Sequence, residues 1–382
     1  MIVGIDGSSI LPRRTGVGHY TYHLLRSLAE LGGNESFRVF LNSLRHPFPA
    51  DATFLRGPHF KTRRTRIPGP WLVTAWRRLG APSIEWFVGR CDVFHSPATY
   101  VPPQRAGARV TTVHDLYFMR RPEECHSLGG KYLAEYLPRA VPKLDRIIVA
   151  SQSTASDVVE LLDVEPERVR VVYHGVDERF RPVTDQGLLA NAKRRYGLDS
   201  EFILTVATLE PRKNVERLLR AYALLRESGV EPPPLVLAGG AGWQTDAIFR
   251  TVEELRLKDR VRFIGYVDGG DLPALYTLAS VFVFISLYEG FGLPLLEAMA
   301  CGTPSVASRA SSLGEVAGDA ALPVDPLDVE TIAAAMKEAL ENEPTRERLR
   351  QRGLARAAQF SWRRCAEETL AVYREAVEEK RL

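Results

Sequence analysis

Two glutamates, Glu289 and Glu297, stand eight residues apart around a glycine-rich turn. The turn follows an apolar, strand-like run at residues 281–285 and opens a helix, where Pro294 fits the first turn because no N–H is needed there. Glycines let backbone amides approach a ligand closely, and the helix N-terminus favours an anionic group. The pattern places Glu289 in the loop and Glu297 in the first helical turn. Carboxylates beside amide donors suit a sugar nucleotide, and the alternative is a plain strand–helix junction.

A pair of cations, Arg212 and Lys213, follows another strand-like run at residues 202–207 and precedes a helix at 215–227. A guanidinium and an ammonium together suit a diphosphate leaving group that gains charge in the transition state. Many sugar-transferring enzymes hold a metal for this purpose, but the chain contains no Asp-x-Asp motif. We therefore expect no metal and no other cofactor. The alternative for this pair is a solvated surface.

The first half of the chain carries candidate ligand groups at matching positions. Gly16 and Gly18 lie beyond a first strand at residues 2–6, and His114 directly follows a strand at 110–113. In doubly wound α/β domains the ligand crevice lies at the carboxyl ends of the strands. The candidate residues of both halves therefore converge on such edges. For His114 the alternative is a structural histidine at a strand end.

Strands and helices alternate throughout both halves, and the strands are apolar without alternation. Such strands predict parallel sheets that are buried on both faces, so the fold class is α/β. The segment 178–185 reads as a linker between domains, and Ser361 is a plausible cap of a last helix. Residues 56–82, rich in Pro, Gly and Arg, read as a long irregular loop or a mobile insertion. The remaining strands are expected at 38–41, 93–95, 147–150, 169–173, 235–238, 261–264 and 305–307.

The run from Leu287 to Ser308, with Gly-Thr-Pro-Ser-Val at 302–306, resembles the retaining glycosyltransferases of family four, whose signature is Glu-x7-Glu. The resemblance extends over nearly the whole chain: to the donor-phosphate loop (206–214), the N-terminal glycine loop (15–20), His114-Asp115 and residues 174–177. It implies a GT-B fold, with two facing Rossmann-like doubly wound domains and a cleft between them. The expected parts are an acceptor-binding domain at 1–180, a nucleotide-sugar-binding domain at 181–360, and a helix at 361–382 that returns to the first domain.

The same resemblance implies roles for individual residues. Glu297 is expected to bind the ribose and Glu289 the donor sugar, while His114 reaches the transferred sugar. The family's usual Gly-Arg pair is replaced by Ala207-Thr208, so Arg212 is expected to take over that arginine's role. The catalytic set is then Glu289, His114, Arg212 and Lys213. The donor-binding set is Gly16, Val17, Gly18, Arg212, Lys213, Tyr266, Val267, Glu289, Gly290, Phe291, Gly292, Leu293 and Glu297.

The activity implied is transfer of a hexose, with retention, to a saccharide or lipid-linked saccharide. The chain looks like bacterial mannosyltransferases of surface polysaccharide synthesis, which favours GDP-mannose as donor. Alternatives are a UDP-sugar donor, a sugar-nucleotide hydrolase or epimerase, or a non-catalytic GT-B binding protein. A serine hydrolase is excluded by the absence of Gly-x-Ser-x-Gly, and Gly-Gly-Lys at 129–131 lacks the rest of a Walker loop.

Charge is distributed unevenly along these 382 residues, whose net charge is only +3. Residues 1–150 hold 21 Lys and Arg against 11 Asp and Glu, a net charge of +10, and the remainder carries −7. Cations interleaved with tryptophans suit an anionic membrane surface, and the alternative is a solvated loop. No nucleic-acid-binding module is visible. The cations of this basic segment are Lys61, Arg63, Arg64, Arg66, Arg77 and Arg78, and its tryptophans are Trp71 and Trp76.

Two further features bear on location. No apolar run approaches the roughly 18 residues that a membrane span needs, and the first residues read as a strand and not as a secretory signal. The four cysteines lack metal-ligand spacing and are expected to be reduced thiols. We therefore expect a cytoplasmic protein, with peripheral contact to the inner face of the membrane as an option.

Overall fold

The computed structural model describes residues 1–11, 14–44, 49–98, 100–125 and 128–381. The chain divides into two compact units, Met1–Gly175 with Ser361–Leu382, and Val176–Phe360. Each unit is built on one parallel sheet flanked by helices, which confirms the α/β fold class.

The sheet of the first unit has seven strands in the order β3-β2-β1-β4-β5-β6-β7, and all of its neighbours are parallel. Most of its central positions are apolar and buried, as expected for a sheet covered by helices on both faces. Its strands are β1 (Ile2–Asp6), β2 (Ser36–Asn42), β3 (Phe60–Thr65), β4 (Val93–Ser96), β5 (Ala108–Val113), β6 (Arg146–Val149) and β7 (Val169–Val171).

Helices of the first unit begin and end where the sequence supplies caps. Thr15 caps the first helix by accepting a bond from the Gly18 amide, and Gly32, at φ 66°, ends it. The last helix of the chain also belongs to this unit, and the Ser361 hydroxyl accepts a bond from the Arg364 amide, which confirms the predicted cap. The helices are α1 (Gly16–Leu31), α2 (Gly69–Leu79), α3 (Glu85–Val88), α4 (Tyr117–Arg120), α5 (Leu128–Ala140), α6 (Gln152–Leu162) and, from the end of the chain, α15 (Trp362–Arg381).

A buried polar chain fastens α15 to this sheet. The ring nitrogens of His95 lie 2.6 Å from the Tyr373 hydroxyl and 2.8 Å from the Thr112 hydroxyl, which is itself 3.0 Å from the Tyr20 hydroxyl. Burial lowers the pKa of His95 to about 3, so its ring is neutral. A fully bonded buried network of this kind fixes one arrangement of the four elements that contribute to it.

The second unit has a six-stranded parallel sheet in the order β10-β9-β8-β11-β12-β13. Its strands are β8 (Ile203–Val206), β9 (Leu235–Ala238), β10 (Val261–Gly265), β11 (Val281–Phe284), β12 (Ser305–Ser308) and β13 (Leu322–Val324). Its helices are α7 (Gln186–Tyr196), α8 (Val215–Glu227), α9 (Asp246–Glu254), α10 (Leu272–Leu278), α11 (Leu293–Ala300), α12 (Ser312–Ala317), α13 (Val329–Glu341) and α14 (Glu343–Ala357).

The strand order reverses direction once in each sheet. In the first sheet the reversal falls between β1 and β4, and in the second it falls between β8 and β11. Loops that leave neighbouring strands at such a point diverge to opposite faces of the sheet and leave a crevice at the carboxyl edge. The two loops that carry the predicted charged residues, after β8 and after β11, flank the reversal of the second sheet.

Two sequence-based expectations were wrong. Residues 56–82 are not an irregular loop, because they contain β3 and α2. The edge strand β3 exposes its Lys and Arg side chains on both faces and so lacks the apolar pattern of a buried strand. Glu297 lies in the second turn of α11 and not in the first, because the helix begins at Leu293. Strand β13 was not anticipated.

No helix in the described ranges is long and apolar enough to cross a membrane. All four cysteines are thiols, and Cys91, Cys301 and Cys365 are buried.

Candidate active site

The loop after β8 presents two cations from a single short turn. Pro211–Lys213 forms a 3-10 turn that ends at Asn214, whose backbone is left-handed with φ 60°. The buried Asn214 side chain donates to the carbonyls of Ile285 and Pro326, at 3.1 and 2.6 Å. Asparagine tolerates this conformation better than most residues, and its amide ties the turn to the end of β11. Asn214 therefore fixes the direction of Arg212 and Lys213.

Glu289 lies between these two cations. The Lys213 Nζ is 2.5 Å from Glu289 Oε1, and the Arg212 guanidinium is 2.8 Å from Oε2. The Arg212 carbonyl accepts a bond of 2.8 Å from the Leu287 amide, so backbone and side chains join the two loops. Arg212 also pairs with the buried Glu210. The structure thus brings together three of the predicted site residues at the strand reversal of the second unit.

Glu289 is buried, Arg212 and Lys213 are half-buried, and their charges compensate one another. Burial raises the pKa of Glu289, but the neighbouring Lys213 and Arg212 more than offset this and lower it to about 2. The carboxylate is therefore ionised at any physiological pH. Burial also lowers the pKa of Lys213, against the pull of Glu289. Charges held in a desolvated place act on a ligand more strongly than charges in water.

The loop after β11 is held by hydrogen bonds from residues that the sequence analysis did not predict. The Ser311 hydroxyl accepts from the Glu289 amide at 2.9 Å. The Ser312 hydroxyl lies 2.8 and 2.9 Å from the carbonyls of Glu289 and Phe291. Gly292 has φ 108°, and a Cβ there would lie 2.5 Å from Leu313. The serine pair at 311–312 was visible in the sequence, but only the fold places it under this loop.

Glu297 occupies a less charged setting on α11. It is half-buried, and its Oε2 accepts a bond of 3.0 Å from the Tyr276 hydroxyl. Burial raises the pKa of Glu297 to about 7, although the Tyr276 bond and the Arg179 charge oppose the shift. The two glutamates of the predicted pair therefore differ: Glu289 is locked as a carboxylate, whereas Glu297 titrates near neutral pH.

Glycines after β9 form a second support that the sequence reading did not use. A Cβ on Gly239 would lie 1.9 Å from the Ala207 carbonyl, and one on Gly242 would lie 2.6 Å from the Leu209 carbonyl. Only glycine lets this segment pass so close under the loop after β8. The amides of Ala207 and Leu209 donate back to this segment, to Ala238 and Gly240.

The remaining donor-binding candidates of the second unit lie around the same carboxyl edge. Tyr266 and Val267 follow β10, where Tyr266 is 69% exposed and Val267 is buried. Gly290 and Phe291 are buried within the loop after β11, and Leu293 is half-buried at the start of α11. An exposed ring at this edge is free to contact a ligand.

In the first unit, the two glycines of the glycine loop differ in how tightly they are packed. A Cβ on Gly18 would lie 2.7 Å from the Ser9 carbonyl, so this glycine is needed for packing. Gly16 is exposed and has open space around its Cβ position, and Val17 is half-buried beside it. The start of α1 therefore lies open just beyond β1, at the strand reversal of the first sheet.

His114 directly follows β5 and is half-buried. Its Nε2 is 2.7 Å from the Pro97 carbonyl, so this nitrogen carries the proton of the neutral ring. Burial lowers the pKa of His114, against the Pro97 bond and Asp115. Its ring packs edge-on against Tyr20 with centroids 5.0 Å apart and lies 5.8 Å from the ring of His174. His114 is therefore held as a neutral, oriented group.

Residues 190–356 match the sequence pattern of the glycosyl transferases group 1, and residues 14–180 match that of glycosyltransferase family 4. The O-antigen chain mannosyltransferase B of Escherichia coli is 32% identical over 366 residues, which cover 94% of this chain and 96% of that protein. The chain belongs to the group 1, family 4 glycosyltransferases. Membership implies a nucleotide-sugar donor and a saccharide acceptor for this glycosyltransferase.

Two further comparisons agree with this assignment. The serotype-specific mannosyltransferase WbdA of Escherichia coli is 36% identical over 287 residues, which cover 73% of this chain and 34% of that longer protein. The sucrose-phosphate synthase of Thermosynechococcus elongatus has the same fold, with a TM-score of 0.76 at 24% identity and 98% coverage of both chains. The fold is therefore GT-B.

Proposed function

We propose that this glycosyltransferase moves mannose from GDP-mannose to a saccharide or lipid-linked saccharide, with retention and without a metal ion. The observation that carries the proposal is the cluster of Arg212, Lys213 and the buried Glu289 at the strand reversal of the second unit. The mannose assignment is supported by the names of the relatives, which are mannosyltransferases of O-antigen chains.

In this proposal the donor lies along the carboxyl edge of the second unit. Arg212 and Lys213 hold the diphosphate, and Glu289 accepts hydrogen bonds from the hexose beside the amides of residues 290–293. Glu297 accepts from the ribose, one turn deeper along α11. Tyr266 and Val267 border the base. The Glu289 carboxylate also keeps both cations in place when no donor is bound.

We propose that both bond changes take place on one face of the sugar, because we assign no carboxylate of the site as a nucleophile. The bond between C1 of the hexose and the diphosphate oxygen breaks, and the acceptor oxygen bonds to C1 on the same face. The acceptor proton passes to the departing diphosphate, whose new negative charge the Arg212 guanidinium and the Lys213 ammonium stabilise. From the first unit, neutral His114 bonds the transferred sugar, and residues 16–18 border the diphosphate and the acceptor.

We propose metal independence because the Arg212 guanidinium and the Lys213 ammonium together can supply the positive charge that a metal would otherwise supply. We expect transfer to continue in excess EDTA. Loss of activity that magnesium or manganese restores would contradict this part of the proposal.

The donor is tested by a thermal-shift panel of GDP, UDP, GDP-mannose and UDP-glucose. A ligand that binds only the folded protein stabilises it by mass action, by about 2.7 kcal/mol at a ligand concentration of 100 Kd. The melting temperature rises accordingly. We expect the largest shifts with GDP and GDP-mannose. A shift confined to the UDP compounds would overturn the donor assignment.

We also propose that the basic segment docks the first unit on anionic lipid, which would bring the site to a lipid-linked acceptor. Lys61, Arg63 and Arg64 are exposed on the edge strand β3, and Trp71 is 74% exposed at the start of α2. Each cation near the surface contributes on the order of 1 kcal/mol, screened by salt. Charges on an edge strand also prevent pairing with other sheets, which is the competing explanation.

Vesicle sedimentation separates these two explanations. The test variant changes Lys61, Arg63, Arg64 and Arg66 to Ser, and the control changes Arg220, Arg250, Lys258 and Arg348, four exposed cations of the second unit. We expect the wild type and the control to sediment with anionic vesicles at low salt, and the test variant to remain in the supernatant. If the wild type ignores anionic vesicles, or if both variants lose binding equally, membrane docking through this segment is wrong.

A further inference from the structure

The first unit contains a cavity of about 690 Å³ that none of the proposed donor or acceptor residues lines. Its walls come from the end of α2, from the segment 100–104 between β4 and β5, and from α5 with the turn after it. Pockets of this volume typically hold one small molecule. The cavity is therefore large enough for a ligand of its own.

Four aromatic rings form one wall. Tyr100 stacks on Trp76 with centroids 5.6 Å apart and on Tyr136 at 4.9 Å, and Tyr132 stacks on Tyr136 at 5.6 Å. The Tyr136 hydroxyl donates to the Val101 carbonyl and accepts from the Val101 amide. These two bonds hold the Tyr136 ring against the segment 100–104. The wall is continued by further apolar lining residues, Pro102, Pro103 and Ala140.

In contrast to the apolar wall, other lining residues of the cavity are positively charged. Five basic side chains line the cavity, against the single acid Glu135. The Arg109 guanidinium donates to the carbonyls of Gln104 and Lys143 and so stays in place. The other four are exposed and form no ion pair within the described part of the chain. Their excess charge therefore remains available to a ligand; these four are Arg77, Arg78, Arg139 and Lys143.

The cavity is distinct from the crevice at the carboxyl edge of the same sheet. Arg109 stands near the start of β5, whereas His114 follows the end of that strand. Four strand residues lie between them, and the five residue steps correspond to about 16 Å at the usual rise of roughly 3.3 Å per residue. A ligand in this cavity is thus not the sugar that His114 is proposed to contact.

We propose that this cavity binds an amphiphile with a phosphate or diphosphate head and an apolar tail. Guanidinium groups match phosphate oxygens in geometry and charge, and the aromatic and proline surface takes up the tail. A hydrophilic anion would leave that wall uncovered, and an uncharged hydrophobe would leave the excess of cations without a partner. The site is independent of the transfer chemistry proposed above.

Isothermal titration of the whole chain, without vesicles, tests this assignment. The probes are farnesyl diphosphate below its aggregation concentration, inorganic pyrophosphate for the head alone, and farnesol for the tail alone. The cavity variant is Arg77→Ser with Arg139→Ser, both exposed and outside any ion pair among the described residues, although the Arg77 guanidinium lies 6.0 Å from the Tyr132 ring. Its matched control is Arg56→Ser with Arg90→Ser, which removes the same charge from exposed positions of the same unit. Lys213→Ala serves as a second control, because a diphosphate also fits the proposed donor site.

We expect farnesyl diphosphate to bind the wild type and both controls alike and the cavity variant at least tenfold more weakly. Pyrophosphate and farnesol should each bind at least tenfold more weakly than farnesyl diphosphate. The proposal is overturned if the wild type does not bind farnesyl diphosphate, if the cavity variant binds it as the control does, or if pyrophosphate binds equally well. Equal loss in Lys213→Ala would assign the heat to the donor site and would also overturn it.

Discussion

The two units place their candidate groups at equivalent positions and give them opposite electrostatic character. In both, a glycine-containing loop and a polar residue lie close to the point where the strand order reverses. In the second unit these groups are charged: the buried Glu289 is ionised between two half-buried cations. In the first unit they are neutral, because burial lowers the pKa of His95 and His114.

This difference matches the two halves of a glycosyl transfer. A diphosphate that leaves with growing charge needs fixed opposite charge, while a hexose and a saccharide acceptor need neutral hydrogen-bonding groups. The same strand topology can therefore serve either partner, and the side chains at the reversal decide which one it serves. The comparison predicts that charge-removing substitutions cost far more in the second unit than polar substitutions cost in the first.

The largest effect is expected for Lys213→Ala. Loss of a charge that acts mainly in the transition state should lower kcat/KM about 100- to 1,000-fold, or roughly 2.7 to 4 kcal/mol. Steady-state transfer assays measure this, with Arg220→Ala, an exposed cation on the following helix α8, as the control. Turnover near that of the wild type would remove Lys213 from the chemistry.

Glu297 offers an intermediate effect that depends on pH. Since the pKa of Glu297 is raised to about 7, the carboxylate to which we assign the ribose is lost by protonation as the pH falls. Between pH 8 and pH 6 the affinity for the nucleoside diphosphate should fall about tenfold, following the ionised fraction. Glu297→Gln has no carboxyl group to titrate at this position, but the ligand's phosphate still titrates. The pH profile of this variant is therefore the reference for that of the wild type. Parallel pH profiles of the two proteins would refute this role.

A smaller loss is expected for His114→Ala. The removed contact is a neutral hydrogen bond, worth about 0.5 to 1.5 kcal/mol, so kcat/KM should fall by up to about tenfold. Because the pKa of His114 is lowered from its ordinary value, its contribution should stay constant from pH 7.5 to 8.5. His59→Ala, at an exposed histidine, is the control. A loss as large as that of Lys213→Ala would erase the contrast between the units.

The smallest effect is expected for the buried hydrogen-bond network of His95, Thr112, Tyr20 and Tyr373 in the first unit. Tyr373→Phe removes a buried hydroxyl from the ring nitrogen of His95 and should lower the free energy of unfolding by about 1 kcal/mol. Urea unfolding measures it, against Tyr266→Phe, whose hydroxyl is on an exposed ring. A Tyr373→Phe protein as stable as the control would show that the network does not hold α15 in place.

Much of the molecule could be predicted from the sequence because its signals are local. Apolar runs such as those at β8 and β11 mark buried parallel strands, and the residues after them fall at the carboxyl edge for topological reasons alone. The pairing of Arg212 and Lys213 with Glu289 could not be read, since it depends on which strands are neighbours. The supports at Ser311, Ser312, Gly239 and Gly242 were hidden for the same reason.

Residues 56–82 show why some elements could not be predicted from local sequence patterns. An edge strand that exposes cations on both faces has neither the apolar run nor the alternation that marks other strands, so β3 could not be recognised. The starting residue of α11 was also misjudged, because Gly290 and Gly292 both lie in the turn and either could precede the helix. Only the φ of 108° at Gly292 identifies the cap and moves Glu297 to the second turn.

We propose that the charged groups at the β8–β11 reversal hold the donor's diphosphate. The most direct test titrates the best-binding nucleoside diphosphate and its parent nucleoside into the wild type, Lys213→Ala and Arg220→Ala. We predict that Lys213→Ala lowers the affinity for the diphosphate at least tenfold and leaves the affinity for the nucleoside unchanged. Arg220→Ala should bind both ligands as the wild type does. Undiminished diphosphate affinity in Lys213→Ala, or an equal loss for nucleoside and diphosphate, would contradict the claim.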